Sequence, residues 1–303
     1  MSERERHVPV LLQSAIRYLN VRRGGTYADA TLGFAGHSSA IARELGPEGK
    51  LIAFDRDPDA MALAKARLDT LRAELGPEMP DVILHDVEFS GVNRLIEPTS
   101  LDGLLADFGA SSMHFDDAHR GFSFQVEGPL DMRMNPRRGP TAAQVVNQLG
   151  EKDLADLIYE FGEERRSRRI ARAIVRARPI TTTAQLARIV AAAAPAMKSD
   201  RIHPATRTFQ ALRIYVNAEL DEIKALLNVA PGLLKPGGRL VVISFHSLED
   251  RLAKDALREG AQHGIYEVLT RKPVTAEAEE TDRNPRARSA KLRAAERKAV
   301  SST

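Results

Sequence analysis

Residues 29–37, DATLGFAGH, join an apolar, strand-like run to a helix-like run through a short loop that contains two glycines. The run before it, TYADAT (residues 26–31), is typical of a β-strand, and the run after it, HSSAIARELG (residues 37–46), is typical of a helix. A strand, a small-residue loop and a helix in this order is how a ligand-binding α/β sheet begins. The loop has only Gly33 and Gly36, so it departs from the dinucleotide motif G-x-G-x-x-G.

The same alternation of strand and helix continues through the first hundred residues. Further strands are predicted at KLIAFD (50–55), DVILHD (81–86) and LDGLLADFG (101–109), and a later one at GGRLVVISF (237–245). Because these runs are almost continuously apolar, they indicate a parallel sheet that is covered by helices on both faces. The sequence therefore predicts a doubly wound α/β domain.

A long helical segment interrupts this domain. Residues 151–178, 182–194 and 205–227 all have helical periodicity, and the threonines at 181–183 predict a helix N-cap. We therefore predict a discontinuous α/β domain (1–113 and 216–303) and an inserted all-helical domain (114–215).

The end of the chain is predicted to complete the sheet. YEVLTRKPV (266–274) and ARSAKLRAAER (287–297) read as an antiparallel strand pair. The intervening stretch 274–285 is acidic and polar, which predicts a mobile loop.

Composition narrows the class of protein. The 303-residue chain has no cysteine, which excludes disulfides, thiolate metal sites and cysteine nucleophiles. The first residues make a poor signal peptide, and the most apolar run, IVAAAAPAM (189–197), is far shorter than the roughly 20 residues of a membrane helix. We therefore expect a soluble, cytoplasmic protein that has no membrane partner. The eight histidines are scattered without ligand spacing, so no metal site is predicted.

Charge is distributed unevenly along the chain. Residues 137–213 carry 15 Lys/Arg against 7 Asp/Glu, whereas residues 1–136 carry 14 against 21. Residues 214–303 are close to neutral, with 15 against 13. A basic segment inserted into a near-neutral or acidic frame indicates that one part of the molecule meets a polyanion.

Suitable polar groups follow each of the first four predicted strands, where ligands bind in open α/β sheets. Asp55, 22 residues beyond Gly33, is placed to accept hydrogen bonds from ribose hydroxyls. Asp86 and Phe89 suit the edge and the face of an adenine, and Asp107 ends the fourth strand. Each residue alone has a structural alternative, as a turn, a helix cap or part of the core. Together, and in this order, they predict a nucleoside site.

The loop favours a cofactor without a pyrophosphate. Ala35 stands beside Gly36 and His37 opens the helix, so the glycines that a pyrophosphate requires are missing. S-adenosylmethionine has no phosphate, and the loop need only admit its amino-acid end. The turn before the later strand, LLKPGGRLVVISF, also resembles class I methyltransferases.

Several uncommon strings occur in an order that makes the resemblance specific, and they span nearly the whole chain. They are HVPVLL (7–12), DATLGFAGHS (29–38), FDRDPDA (54–60), RGFSFQVEGPLDMRM (120–134), HPATRTFQALRIYVNAEL (203–220), ISFHSLEDR (243–251) and NPRARSAKLRAAER (284–297). Together they closely resemble the RsmH (MraW) family of bacterial ribosomal RNA methyltransferases. The resemblance implies a class I (Rossmann-like) S-adenosylmethionine-dependent methyltransferase that methylates N4 of a cytidine in the decoding region of 16S ribosomal RNA.

The resemblance also implies which residues hold the cofactor. They are Ala35, Gly36, His37, Asp55, Phe89, Asp107 and His114. The family commonly has glycine where Ala35 stands and glutamine where His114 stands, so these two positions depart from its pattern. The region between Arg271 and Asn284 looks shorter than in some relatives.

Asp107 is the predicted catalytic residue. Amino-methyltransferases place acceptors for the target amine at this strand end, so Asp107 and the following FGASS would shape that site. The alternative is that Asp107 only binds cofactor and that geometry alone does the rest. Ser111 and His246 are further candidates, although His246 equally suits a cap on the next helix.

The basic insertion is the predicted clamp on RNA, because a base must be unstacked before its amine can react. Four arginines at i, i+4, i+7 and i+11 form one helical face, and Ile170, Ile174 and Ala177 form a packing face; the arginines are Arg165, Arg169, Arg172 and Arg176. The alternative is a solvated face with ion pairs to neighbouring glutamates.

Two other functions stay open, an NAD-dependent dehydrogenase and a non-catalytic RNA-binding or ribosome-assembly factor. A homodimer stays open too.

Overall fold

The computed structural model describes residues 9–195 and 202–299. Its contacts divide the chain into two compact units, one made of Met1–Gly109 with Leu220–Thr303 and the other of Ala110–Glu219. The sequence placed the corresponding breaks after residues 113 and 215. Residues 7 and 8 of the HVPVLL string, and 196–197 of the apolar run, lie outside the described residues.

The first unit is built around a seven-stranded sheet, as far as the chain is described. Its strands are β1 (Thr26–Asp29), β2 (Lys50–Asp55), β3 (Asp81–Asp86), β4 (Leu101–Asp107), β5 (Leu234–Ser244), β6 (Tyr266–Val268) and β7 (Lys291–Arg297). The order is β3-β2-β1-β4-β5-β7-β6, and only β7 runs antiparallel to its two neighbours. This confirms the predicted α/β sheet and the antiparallel pair at its end.

Helices connect these strands and form the second unit. In chain order they are α1 (Leu12–Leu19), α2 (Gly36–Leu45), α3 (Pro58–Leu75), α4 (Ser112–Asp116), α5 (Ala142–Gln148), α6 (Glu151–Gly162), α7 (Ser167–Arg176), α8 (Thr183–Ala193), α9 (Ala205–Val216), α10 (Glu219–Leu233), α11 (Ser247–Gln262) and α12 (Ala278–Arg283). No helix in the described part of the chain is long and apolar enough to cross a membrane.

The core of the first unit lies on both faces of the sheet. Along β5, Val241 and Ile243 belong to one cluster of buried residues, whereas Leu240 and Val242 belong to another. Successive side chains of a strand point to opposite faces, so a strand buried on both faces must be apolar throughout. This is why the continuous apolar runs predicted the strands so well.

Two predicted helices are each broken in two. The run 151–178 breaks after Gly162, where Glu163 has a left-handed backbone (φ 49°), and the run 205–227 breaks at Ala218 (φ 48°). The second break is fixed by Asn217, whose side-chain amide donates to the Met132 carbonyl (2.8 Å) and accepts from the Met134 amide (2.7 Å). Such a distant partner leaves no trace in local periodicity.

The acidic stretch 274–285, predicted as a mobile loop, has secondary structure. It contains α12, and the backbones of Val274 and Leu292 form a β-bridge. The predicted cap cluster is confirmed at Thr182, whose hydroxyl accepts from the Gln185 amide and forms a capping box with it.

Candidate functional site

The carboxyl ends of the parallel strands gather acidic side chains at one edge of the sheet. β1, β2, β3 and β4 end in Asp29, Asp55, Asp86 and Asp107. β1 lies between β2 and β4, so the direction of winding reverses there and opens the crevice in which such sheets bind ligands.

Two neighbouring residues, Ala35 and Gly36, shape the loop between β1 and α2. Ala35 keeps a side chain in a left-handed conformation, whereas Gly36 has no room for a side chain. Ala35 is fully buried and left-handed (φ 55°), a conformation that L-residues adopt only at a cost. At Gly36 a Cβ atom would lie 2.3 Å from Cγ of Pro9. Gly36 is therefore required by the N-terminal segment that packs on the loop, a reason that sequence reasoning did not identify.

His37 is buried and holds one defined tautomer. Its Nε2 lies 3.1 Å from the carbonyl oxygen of Val10, which can only accept, so Nε2 carries the proton. Its Nδ1 lies 3.7 Å from Oδ2 of Asp107. Burial lowers the pKa of His37 to about 4, although the bond to Val10 opposes this shift. The imidazole is therefore neutral at physiological pH and presents a lone pair on Nδ1.

A buried network beneath the loop positions Asp107. Asp29 accepts hydrogen bonds from the Ser38 hydroxyl (2.7 Å) and the Thr31 amide (3.0 Å). The Thr31 hydroxyl oxygen accepts a hydrogen bond from the backbone N–H of Asp107, with an N···O distance of 2.7 Å. Burial raises the pKa of Asp29, and its hydrogen bonds partly offset that effect. Sequence reasoning missed this network, although Asp29 lies within DATLGFAGH as an acidic residue at the end of a buried strand.

Asp107 combines an unusual charge environment with an unused oxygen. Burial, together with the negative charges of Asp29 and Glu249, raises the pKa of Asp107 well above its ordinary value. Its Oδ1 is buried and accepts no hydrogen bond from any described residue. A buried acceptor without a donor is costly, and a bound cation would offset that cost and favour the ionised carboxylate.

Asp55 and Phe89 lie at the next two strand ends. The Asp55 carboxylate accepts the amide of Gly33 (2.8 Å) with Oδ2 and the amide of Asp57 (2.9 Å) with Oδ1. These bonds orient the carboxylate at the carboxyl end of β2. The ring of Phe89 is half-buried and lies 6.0 Å from that of Phe108. Asp86, suggested for the adenine edge, is exposed.

His114 belongs to the helical unit and has a structural task there. Its Nδ1 accepts the Ser111 amide at 3.0 Å and completes the capping box of α4. Its ring lies 4.6 Å from that of Phe122. His114 is only 4% exposed, so its predicted contact with cofactor stays a prediction.

His246 caps α11, the alternative that the sequence had left open for it. Its Nδ1 lies 3.5 Å from the amide of Glu249, and Oε2 of Glu249 accepts the amides of Phe245 and His246. Histidine is not a common N-cap, so the capping box could not be read from residue type alone.

Most arginines on and just before α7 are exposed to solvent. Ile170 and Ile174 are fully buried, as predicted, but Ala177 is exposed, and Arg165 precedes α7 instead of lying on it. The exposed arginines of α7 and its approach are Arg165, Arg168, Arg169, Arg172 and Arg176. Arg166 forms an ion pair with Glu164 (3.3 Å), as the alternative expected, and Arg172 lies 3.3 Å from Glu151.

Fold and site together define a class I S-adenosylmethionine-dependent methyltransferase. The seven-stranded sheet with an antiparallel β7 is the topology of that class. The residues fit the cofactor, because the carboxyl of Asp107 lies in a buried, negatively charged environment that the positive charge of the cofactor would offset.

The chain belongs to the MraW methylase family, whose model matches residues 4–298. It is 84% identical to ribosomal RNA small subunit methyltransferase H of Acidobacterium capsulatum, over 98% of this chain and 100% of that protein. It is 62% identical to the protein of the same name from Koribacter versatilis, over 96% of this chain and 94% of that protein.

Proposed function

We propose that this methyltransferase transfers the methyl group of S-adenosylmethionine to N4 of a cytidine in the decoding region of 16S ribosomal RNA. The observation that carries the proposal is Asp107, a carboxylate at the end of β4 whose buried Oδ1 lacks a donor. The N4 amine of cytidine can donate a hydrogen bond to Oδ1 of Asp107.

Asp107 is the proposed catalytic residue. The lone pair of a cytosine amine is delocalised into the ring, so the amine is a poor nucleophile. When Oδ1 of Asp107 accepts one N–H, it draws the lone pair back onto nitrogen and fixes the direction of attack. The cofactor would supply the methyl group and leave as S-adenosylhomocysteine, and Oδ1 of Asp107 would take the proton that the amine loses. Positioning of this kind supplies much of the acceleration in group transfer.

The proposed cofactor residues are those that the family resemblance implied. S-adenosylmethionine supplies an electrophilic methyl group. Asp55, oriented by the amides of Gly33 and Asp57, would accept the ribose hydroxyls. Phe89 would contact the adenine, and the loop residues Ala35, Gly36 and His37 would border the amino-acid end. His114 completes the proposed set.

The helical unit is the proposed RNA-substrate domain, which binds the small-subunit RNA by its phosphates. The exposed arginines of α7 support this, since phosphate contacts come mainly from such side chains.

The cytoplasm, where ribosomal subunits are assembled, is the proposed compartment. A homodimer stays a prediction, and light scattering of the purified protein tests it.

The test of the reaction is methyl transfer from labelled S-adenosylmethionine to 16S RNA that lacks the modification. We expect one labelled N4-methylcytidine per RNA, and we expect Asp107→Asn to lower kcat by about 100-fold. S-adenosylhomocysteine should bind Asp107→Asn more weakly, because Asp107 also belongs to the proposed cofactor site, so kcat is measured at saturating cofactor. Full turnover by Asp107→Asn would contradict the catalytic role.

The test of the cofactor assignment is calorimetry with S-adenosylhomocysteine. Asp55→Ala should raise the Kd at least tenfold, which is about 1.4 kcal/mol. Asp69→Ala is the matched control, because this exposed carboxylate lies in the middle of α3. An unchanged Kd in Asp55→Ala would contradict the ribose contact, and binding of NADH would favour a dehydrogenase.

A further inference from the structure

The described part of the N-terminal string HVPVLL packs on the cofactor loop, and the proposed reaction gives it no part. Its described residues, Pro9–Leu11, pack against the loop that opens α2. Pro9 lies where a side chain on Gly36 would be, and the Val10 carbonyl accepts Nε2–H of His37. We call Pro9–Leu11 the strap.

The strap is held from outside by Glu280. The backbone amide of Leu11 donates to Oε1 of Glu280 at 2.6 Å. Leu11 has a left-handed backbone (φ 54°), which costs on the order of 1–2 kcal/mol for an L-residue. A strained residue keeps its conformation only where its surroundings fix it, and this half-buried hydrogen bond is one such constraint.

The strap determines what His37 can accept. With the proton fixed on Nε2, Nδ1 is an acceptor, and it lies 3.7 Å from Oδ2 of Asp107. Two acceptors at this separation suit one ammonium group, which can donate a separate N–H to each. Oδ1 of Asp107 stays available for the target amine.

We propose that Glu280 is a positioning residue, which holds the strap on His37 so that His37 Nδ1 and Asp107 Oδ2 together bind the α-ammonium group of the cofactor. This rests on the proposed placement of His37 and Asp107 in the cofactor site. The occupant is the amino-acid end of the cofactor, because His37 opens α2 directly after the loop residues that are proposed to border that end. The acidic segment that contains α12 therefore contributes to cofactor binding through the strap.

The Kd values of two ligands distinguish a positioning role of Glu280 from a general effect on the stability of the protein. S-adenosylhomocysteine carries the α-ammonium group, whereas 5′-methylthioadenosine has the same nucleoside but no amino-acid end. We expect Glu280→Ala to raise the Kd of S-adenosylhomocysteine about fivefold or more and to leave that of 5′-methylthioadenosine unchanged. Glu280→Gln should behave as wild type, because its amide oxygen still accepts from Leu11. Glu279→Ala is the control, since Glu279 is exposed and its ion pair in the described structure is with Arg283, four residues further along the chain.

A second measurement reports the tautomer directly. Long-range ¹⁵N NMR should show His37 with its proton on Nε2 in the wild type and in Glu280→Gln, and a mixture of tautomers in Glu280→Ala. The His37 signal is assigned by its loss in His37→Asn.

Each failure has a distinct meaning. Equal loss of both ligands in Glu280→Ala, or no loss of either, would overturn the positioning role, and so would a wild-type His37 protonated on Nδ1. If the wild-type protein failed to bind S-adenosylhomocysteine, the cofactor assignment itself would fall, whatever the variants did.

Discussion

Ala35 and Gly36 are neighbours on the cofactor loop, yet only one of them must be glycine. The left-handed backbone of Ala35 costs about 1–2 kcal/mol, but its methyl group is fully buried, which returns roughly 0.8 kcal/mol. A glycine there would lose that contact and more chain entropy. The two residues are thus nearly equivalent at position 35, which explains how this chain can depart from the family pattern.

At Gly36 the opposite holds, and Gly36→Ala tests the strap. The added Cβ would lie 2.3 Å from Cγ of Pro9, so the strap must move. We expect unfolding to become easier by about 1–3 kcal/mol and S-adenosylhomocysteine to bind more weakly. Gly91→Ala is the control in urea unfolding and calorimetry, because its Cβ would make only ordinary contacts, 3.5 Å from Val87. Equal behaviour of the two variants would count against a strap that packs on the loop.

The buried, neutral His37 makes stability depend on pH. Its pKa in the folded state is about 4, below the ordinary 6.5, so the unfolded chain binds more protons between these values. Stability is therefore complete above pH 6.5 and falls as the pH drops towards 4. From pH 7 to pH 5 the loss due to His37 is about 2 kcal/mol.

Urea unfolding of the wild type and His37→Gln at both pH values measures this effect. The variant removes the titrating group, so its stability should fall by about 2 kcal/mol less than that of the wild type. Identical pH profiles for the two proteins would show that His37 is not held neutral by burial.

At the scale of elements, the sequence predicted best where an apolar run is continuous. β2 has the predicted bounds, and its interior Leu51–Phe54 is buried, as in a strand covered on both faces. β3 also has the predicted bounds, although it lies at the edge of the sheet and is only partly buried. The helix breaks at Glu163 and Ala218 were not predicted, since each depends on a left-handed residue that is not glycine. α12 was missed because an acidic, polar stretch has no periodic apolar face. The role of His114 in the capping box of α4 was missed, because histidine is rarely found in such a box, whereas a cap at His246 had been left open as an alternative.

α7 gives the element-scale prediction for RNA. Each arginine that contacts a phosphate releases a counterion, so its loss should lower the slope of log K against log salt by about 1. We expect Arg169→Ala and Arg176→Ala to weaken binding of 16S RNA fragments in this way. Arg72→Ala, an exposed arginine on α3 of the other unit, is the control. Unchanged salt slopes for both α7 variants would remove α7 from the proposed RNA surface.

At the scale of the whole molecule, the chain divides its chemistry between two units. The sheet unit gathers the acidic strand ends, the strap and the loop, whereas the helical unit carries the exposed arginines. Strand ends and basic helices each have a local pattern, and on this basis the sequence predicted a helical insertion over residues 114–215. The strap and the Asp29 network were not predictable, since they join residues far apart in the chain through single hydrogen bonds.

The most direct test of the proposed reaction is mass spectrometry of 16S ribosomal RNA from cells with and without this protein. Nuclease fragments of the decoding region should lose one methyl group, at N4 of a single cytidine, when the protein is absent, and should regain it with the wild-type protein but not with Asp107→Asn. An unchanged N4-methylcytidine content in cells that lack the protein would contradict the proposed substrate.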